Sequence, residues 1–156
     1  MEVDWAVLDA HEQIDNYSCI PSAVEMILKL EGLMPVGDYT EQEKWKNSKN
    51  GTFSAYHGVT IDNLKFKHEF AFKRDSNFPL DDLFARISEE ISDGRFVVIS
   101  LEMRPREYHM FVIYREEGGE FLAFSKSGRE TIPTEQVKAK IRGMDGTDIL
   151  TYSKVA

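Results

Sequence analysis

Residues 95–125 read RFVVISLEMRPREYHMFVIYREEGGEFLAFS and contain three apolar segments in quick succession. Each segment is short and rich in β-branched and aromatic residues, which is typical of strands. The predicted strands cover residues 95–103, 108–115 and 120–125. Because Gly118-Gly119 separates the last two segments, a tight hairpin turn is predicted there. An antiparallel sheet is therefore expected in the second half of the chain.

Two amphipathic helices are predicted before these strands. Over residues 19–31, apolar side chains recur at helical spacing in a stripe so wide that only Ser22, Glu25 and Lys29 remain as a thin polar face. That helix is expected to be mostly buried, with the three polar side chains in solvent. Residues 79–92 carry a narrower apolar stripe, which predicts a second helix.

Weaker patterns predict the remaining elements. They are short helices over residues 40–47, 60–67 and 134–142 and strands over residues 67–73 and 148–154. Thr40 is expected to cap the first of these helices, with Glu43 as its reciprocal partner. Longer helices come first and most strands come later, so we predict an α+β fold in a single domain over residues 1–156.

Composition and charge narrow the classes of function. Hydrophobic residues make up 42% and charged residues 29% of the 156 residues, which is typical of a globular domain. The net charge of −8 argues against a nucleic-acid or membrane partner, because both surfaces need clustered Lys and Arg. Apolar runs such as residues 96–99 are far shorter than the roughly 20 residues of a spanning helix. The N-terminus has no apolar signal region, so a cytoplasmic location is expected.

The single cysteine, Cys19, excludes an internal disulfide framework and a cysteine-rich zinc site. It stands at the start of the predicted buried helix, where unpaired backbone N–H groups stabilise a thiolate. A lone cysteine is more often a buried apolar residue, but Cys19 lies at the mouth of the helix rather than within its stripe. Gln13 precedes it by six residues, and a Gln side-chain N–H beside a helix N-terminus can form an oxyanion hole.

A nucleophilic thiol also needs a base, and the chain has four histidines. His11 and His57 fall in expected loop or turn regions, and His68 stands among charged neighbours on an expected surface strand. His109 opens a predicted strand that is apolar on both faces and is therefore expected to be central in the sheet. With Gln13 upstream of the cysteine, His109 is the predicted base.

Together, Gln13, Cys19 and His109 resemble the pattern of papain-like cysteine peptidases. The resemblance is strongest to their compact bacterial branch, the bacteriocin-leader (double-glycine leader) peptidases and their stand-alone relatives. It extends over nearly the whole chain and includes the helix of residues 21–30 and the pair Gly51-Thr52. It implies a papain-like fold in which the cysteine helix packs on an antiparallel sheet and the cleft lies between them.

The resemblance also implies a cysteine-dependent peptidase or amidase that acts on a peptide or protein substrate without a metal or an organic cofactor. Cys19 would attack the carbonyl carbon and His109 would take and return the proton. Gln13 and the backbone N–H of Cys19 would hold the oxyanion. The position of the acid that orients the histidine in the family corresponds to Ser125.

Two positions depart from the pattern of the family. Ile20 stands where the bacterial branch usually has Gly, and its bulk would narrow the cleft. Ser125 can accept a hydrogen bond from an imidazole, but it brings no charge to stabilise an imidazolium. Two alternatives therefore stay open, namely a papain-like acyltransferase and a catalytically weak or inactive relative that binds a peptide or a partner protein. Neither the substrate nor the oligomeric state follows from the sequence.

Overall fold

The computed structural model describes residues 3–14, 19–46, 51–105, 107–125 and 134–155, which form six helices and six strands. The helices are α1 (Trp5–Asp9), α2 (Cys19–Leu30), α3 (Thr40–Lys44), α4 (Phe53–Tyr56), α5 (Leu80–Ser92) and α6 (Thr134–Gly143). The strands are β1 (Thr60–Ile61), β2 (Leu64–Glu69), β3 (Val97–Arg104), β4 (Glu107–Glu117), β5 (Glu120–Ser125) and β6 (Ile149–Lys154). Helices α2, α5 and α6 and strands β3 to β6 begin and end within two residues of their predicted bounds.

The strands join one antiparallel sheet in the order β1-β2-β6-β3-β4-β5. The hairpin between β4 and β5 turns at Gly118 and Gly119, as predicted. Their φ angles of 59° and 80° lie in the left-handed region, which glycine adopts without steric cost. The combination of helices with an antiparallel sheet confirms the α+β class.

Alternate side chains of the central strands enter two separate cores. On one face of the sheet, Val98 and Val112 pack in a core that α2 also fills. On the other face, Ile99 and Phe111 pack in a core that α5 and α6 fill. Helices therefore cover both faces of the sheet, and neighbouring residues of β3 or β4 face different helices.

Helix α2 is buried on nearly all sides, as its wide apolar stripe predicts. It ends in a Schellman motif, in which Leu33 N–H donates to the Leu28 carbonyl at 2.9 Å and Gly32 has a φ of 75°. The expectation that Ser22, Glu25 and Lys29 face solvent is wrong, because all three are buried. Their partners come from residues outside the helix and are described with the candidate site.

The prediction of a helix over residues 60–67 is also wrong. Strands β1 and β2 form a hairpin there, and Asp62 and Asn63 occupy its turn with φ angles of 48° and 71°. Two consecutive residues with positive φ are the mark of a hairpin turn that matches the twist of the strands, and Asn and Asp tolerate that conformation. The strand expected over residues 67–73 is consequently shifted toward the N-terminus, to β2.

Helix α3 covers only the first part of residues 40–47, and residue 47 lies outside the described residues. The predicted capping box is wrong, because the N-cap is Tyr39 and its side chain makes no capping bond. The hydroxyl of Thr40 donates instead to Asp38. Because Thr40 is not the N-cap, Glu43 is not its partner in a capping box. The sequence patterns do not predict α1.

Candidate active site

Cys19 is the first residue of α2 and is partly exposed. The first turn of a helix leaves backbone N–H groups without intrahelical partners, and these groups favour a thiolate. Gly51 lies against this turn, since a Cβ at that position would stand 3.0 Å from Cγ of Pro21. Ile20 packs against the core on the α2 face. Cys19 is thus partly exposed at the start of a helix that is otherwise fixed in the core.

The N-terminal end of α2 points toward the end of the sheet at which β6 begins. At the opposite end of the helix, Glu31 forms an ion pair of 3.1 Å with Lys154, the last residue of β6. Near the start of the helix, Gly51 lies close to Pro21, and α4 begins two residues after Gly51. Phe53 of α4 packs its ring on His68 of β2, with 5.8 Å between centroids. His68 lies beside the first residues of β6.

His109 lies at this same end of the sheet. Val98 of β3 pairs with Leu150 near the start of β6, and three residues farther along β3, Leu101 pairs with His109 of β4. Helix α2 contacts β4 directly. The structure therefore brings Cys19 and His109 to one end of the sheet, on a helix and a strand that touch.

The two residues approach this end from different faces of the sheet. His109 pairs with Leu101 and shares strand parity with Phe111, and both of these residues pack in the core of α5 and α6. Met110, the next residue of β4, packs on the α2 side. Alternation thus places His109 on the face opposite α2. In the cleft that the resemblance implies, the side chain of His109 would instead face the cysteine helix.

Ser125 ends β5 and is buried, with 4% of its surface exposed. It pairs with Phe111 of β4 and therefore lies on the same face as His109, as its diagonal neighbour. Diagonal neighbours in an antiparallel sheet stand roughly 7–8 Å apart between Cα atoms, within reach of a histidine side chain. The structure therefore brings Ser125 and His109 together on one face.

Gln13 lies in the segment of residues 10–14 that precedes Cys19, and its Oε1 is shielded from solvent. The main chain on both sides of it is held by Gln42 of α3. The Gln42 Oε1 accepts a hydrogen bond of 2.7 Å from the N–H of Ile14. Its Nε2 donates to the carbonyl of Glu12, also at 2.7 Å. The segment that carries Gln13 is thus attached to α3 through one buried amide.

Glu25 of α2 holds Gln42 from the opposite side. Its carboxylate accepts from Nε2 of Gln42 at 2.7 Å and from the backbone N–H of Gln42 at 3.0 Å. Burial raises the pKa of Glu25, and the bonds from Gln42 oppose that rise. This contact explains why a glutamate is tolerated in a fully buried position of α2.

His11, one of the four histidines, is buried and has a structural role. The ammonium of Lys29 donates to its Nδ1 at 2.9 Å, so the ring proton is on Nε2, which donates to Ser22 Oγ at 2.9 Å. Burial and then the charge of Lys29 lower the pKa of His11 to about 4. The ring also stacks on Tyr39. The neutral ring of His11 therefore links the segment of residues 10–14 to α2 through two hydrogen bonds.

The sequence patterns do not predict a second feature of this sheet end, a histidine–carboxylate pair. His68 Nε2 and Asp148 Oδ2 are 2.7 Å apart, and Arg74 lies 3.5 Å from the other oxygen of Asp148. His68 shares strand parity with Phe66, which packs in the core of α2. It therefore faces the side of the sheet that α2 covers. Strands β6 and β3 lie between it and β4, and α4 contacts β2.

Comparison with protein-family models, curated proteins and solved structures found no match for the chain. No helix in the described part of the chain is long and apolar enough to cross a membrane. Among the same residues, no group of three or more His, Cys, Asp or Glu side chains could hold a metal ion.

Proposed function

We propose that the chain is a cysteine-dependent peptidase or amidase of papain-like architecture, acting on peptide or protein substrates in the cytoplasm. The observation that carries this proposal is the position of Cys19. This partly exposed residue begins a 12-residue helix that is fixed in the core, beside a segment that carries a shielded glutamine. A helix start, a thiol and a neighbouring amide are the groups that acyl transfer through a thioester requires.

The chemistry assigns a separate role to each group. The Cys19 thiolate attacks the carbonyl carbon of an amide, and the carbonyl oxygen becomes an oxyanion. The Cys19 backbone N–H and the Gln13 side-chain N–H donate to that oxyanion. The base, which holds the proton taken from the thiol, gives it to the amine as the C–N bond breaks, and a thioester remains on Cys19. Water, activated by the same base, then releases the acid and restores the thiol.

His109 is the proposed base, with Ser125 as the group that orients it. Two features support this role: His109 is partly exposed at the start of β4, and β4 is a strand that α2 contacts. To reach the sulfur of Cys19, the imidazole must pass around the end of the strand. A register shift in β3, between Glu102 and Arg104, lies beside this end of β4. An irregularity of this kind bends the strand that carries it, here β3, and leaves His109 paired in regular register with Leu101.

A second candidate function is a domain that binds a peptide or a protein without catalysis. The observation that favours it is the placement of His109 on the face opposite α2. Under that function the thiol of Cys19 behaves as an ordinary cysteine. The uncharged Ser125 at the position of the orienting acid is also consistent with a binding domain.

Labelling of Cys19 separates the two functions. An epoxysuccinyl amide or iodoacetamide would be applied at about pH 6, where an ordinary thiol is almost wholly protonated. Mass spectrometry would measure the rate, with glutathione as the reference thiol. We expect Cys19 to react at least about tenfold faster than glutathione and His109→Gln to remove most of the difference. A rate equal to that of glutathione, unchanged in His109→Gln, would support the binding domain. His57→Gln is the matched control, since His57 is exposed and a Gln side chain keeps an acceptor for the backbone N–H of His68.

A further inference from the structure

Gln42 makes two hydrogen bonds that bracket a single residue. Its side chain accepts from the N–H of Ile14 and donates to the carbonyl of Glu12, each at 2.7 Å. Residue 13 lies between these two peptide groups. When the main chain is fixed on both sides of a residue, the direction of its Cα–Cβ bond is fixed as well. The Gln42 amide thus determines where the side chain of Gln13 begins.

The orientation of the Gln42 amide is itself determined. Both N–H groups of Nε2 are used, one by the carbonyl of Glu12 and one by the carboxylate of Glu25, and Oε1 accepts from Ile14. A rotated amide would direct its oxygen at a carboxylate and its N–H at a backbone N–H. The backbone N–H of Gln42 also donates to Glu25, which fixes the start of the side chain. Only an amide in this orientation satisfies every neighbour.

The contact ends on the helix that carries the proposed nucleophile. Glu25 and Cys19 belong to α2, so one rigid element holds both the sulfur and, through Gln42, the main chain around Gln13. Gln42 and Glu25 are fully buried, which shields these bonds from competition by water. An oxyanion hole depends on donors that are already in place before the charge develops.

We infer that Gln42 is a positioning residue that holds Gln13 in the orientation needed to donate to the oxyanion. This inference rests on the proposed function and deepens it. Gln42 touches no reacting atom and acts through the main chain of residues 12 and 14. Its loss should therefore impair the stabilisation of an oxyanion and leave the reactivity of the thiol unchanged.

Two probes of the full chain distinguish these effects. N-acetyl-glycyl-glycinal adds reversibly to a thiol and gives a thiohemiacetal whose oxygen occupies the oxyanion hole. Iodoacetamide alkylates the same sulfur by displacement of iodide and forms no oxyanion. We expect Gln42→Ala to weaken aldehyde binding at least about tenfold. Gln13→Ala should weaken it as well. The rate of alkylation should stay within about twofold of wild type, because the start of α2 is unchanged.

A double-substitution cycle separates positioning from a general structural effect. If Gln42 acts through Gln13, the variant Gln13→Ala/Gln42→Ala should bind the aldehyde about as well as Gln13→Ala alone. Independent losses that multiply would overturn the inference. Glu43→Ala is the matched control, because residue 43 is exposed on the same helix. It should bind the aldehyde as wild type does.

A second variant covers the case in which Gln42→Ala does not fold, since that change leaves the carboxylate of Glu25 without its amide partner. The exchange Glu25→Gln/Gln42→Glu keeps a bond between the two positions and an acceptor for Ile14, but it removes the donor to Glu12. We expect it to fold and to weaken aldehyde binding. Wild-type aldehyde binding in a folded exchange variant would overturn the inference and leave the proposed function intact. Failure of wild type to bind the aldehyde, with alkylation no faster than glutathione, would overturn both.

Discussion

Nε2 of His68 lies 2.7 Å from Oδ2 of Asp148, at the end of the sheet toward which the start of α2 points. The two residues are 80 positions apart in the chain and belong to β2 and to the residue before β6. A carboxylate that fixes an imidazole is the arrangement by which triad enzymes orient their base. This pair is therefore the strongest competitor of His109 for the role of base at Cys19.

We predict that the His68–Asp148 pair has a structural role. Asp148→Asn should lower the free energy of unfolding by about 1–2 kcal/mol, because the pair is partly buried and a charged hydrogen bond is lost. The rate of Cys19 alkylation should not change, since the ring of Phe53 in α4 packs on His68. Urea unfolding and the labelling assay measure the two effects. A folded Asp148→Asn variant in which alkylation slows as much as in His109→Gln would make His68 the base.

The proposed role of Ser125 is to orient His109. We predict that Ser125→Asp raises the rate of Cys19 alkylation at about pH 6, because a carboxylate diagonal to His109 would stabilise an imidazolium. The same change should reduce stability, since Ser125 is buried and a carboxylate there is partly desolvated. Ser125→Ala should slow alkylation. If Ser125→Ala matches wild type and a folded Ser125→Asp gains nothing, Ser125 does not orient His109.

The buried His11 makes stability depend on pH. Its pKa is about 4 in the folded chain and about 6.5 when unfolded, so between these values the unfolded chain binds more protons. Stability should therefore fall as the pH drops from about 6.5 to about 4, by roughly 3 kcal/mol in the limit. His11→Gln keeps an acceptor for Lys29 and removes the titration. The raised pKa of Glu25 acts in the opposite direction but is present in both proteins.

Urea unfolding of wild type and His11→Gln at several pH values in this window measures the difference. We expect the stability of wild type to approach or fall below that of the variant as the pH decreases. Parallel pH profiles of the two proteins would show that His11 is not held neutral in the folded chain.

The loop before β6 provides a test of the fold that is independent of catalysis. Gly146 has a φ of 103°, and a Cβ there would overlap the ring of Phe78. We predict that Gly146→Ala lowers the free energy of unfolding by at least about 2 kcal/mol, through both strain and overlap. Gly143→Ala is the matched control, since a Cβ added at that position would meet no described atom within 4 Å. Equal stability of the two variants would contradict the close packing of residue 146 against Phe78.

The periodicity of apolar residues predicted α2 and the strands that follow α5. The wide apolar stripe located α2, and short apolar segments with Gly118-Gly119 located the strands that follow α5. The turn at Asp62 and Asn63 carried a readable signal, since these residue types favour positive φ, but the apolar spacing nearby favoured a helix. Element type was therefore predictable where pattern and turn residues agreed.

The candidate site was predictable only in part. The position of Cys19 at a helix start follows from the spacing of its neighbours and is observed. The partners of the polar residues of α2 come from other segments, as Gln42 does for Glu25, so their burial could not be inferred locally. Strand parity shows that His109 shares a face with Phe111, but the face that α2 covers depends on tertiary packing. For this reason the placement of His109 opposite α2 was not predictable.

The pH dependence of Cys19 alkylation tests the central claim most directly. The rate with iodoacetamide would be measured from roughly pH 5 to roughly pH 10 on wild type and on His109→Gln. We predict an apparent pKa for the wild-type thiol well below about 8.5, because the start of α2 and His109 both stabilise the thiolate, and a higher value in the variant. An apparent pKa at or above about 8.5 that is the same in both proteins would contradict the account.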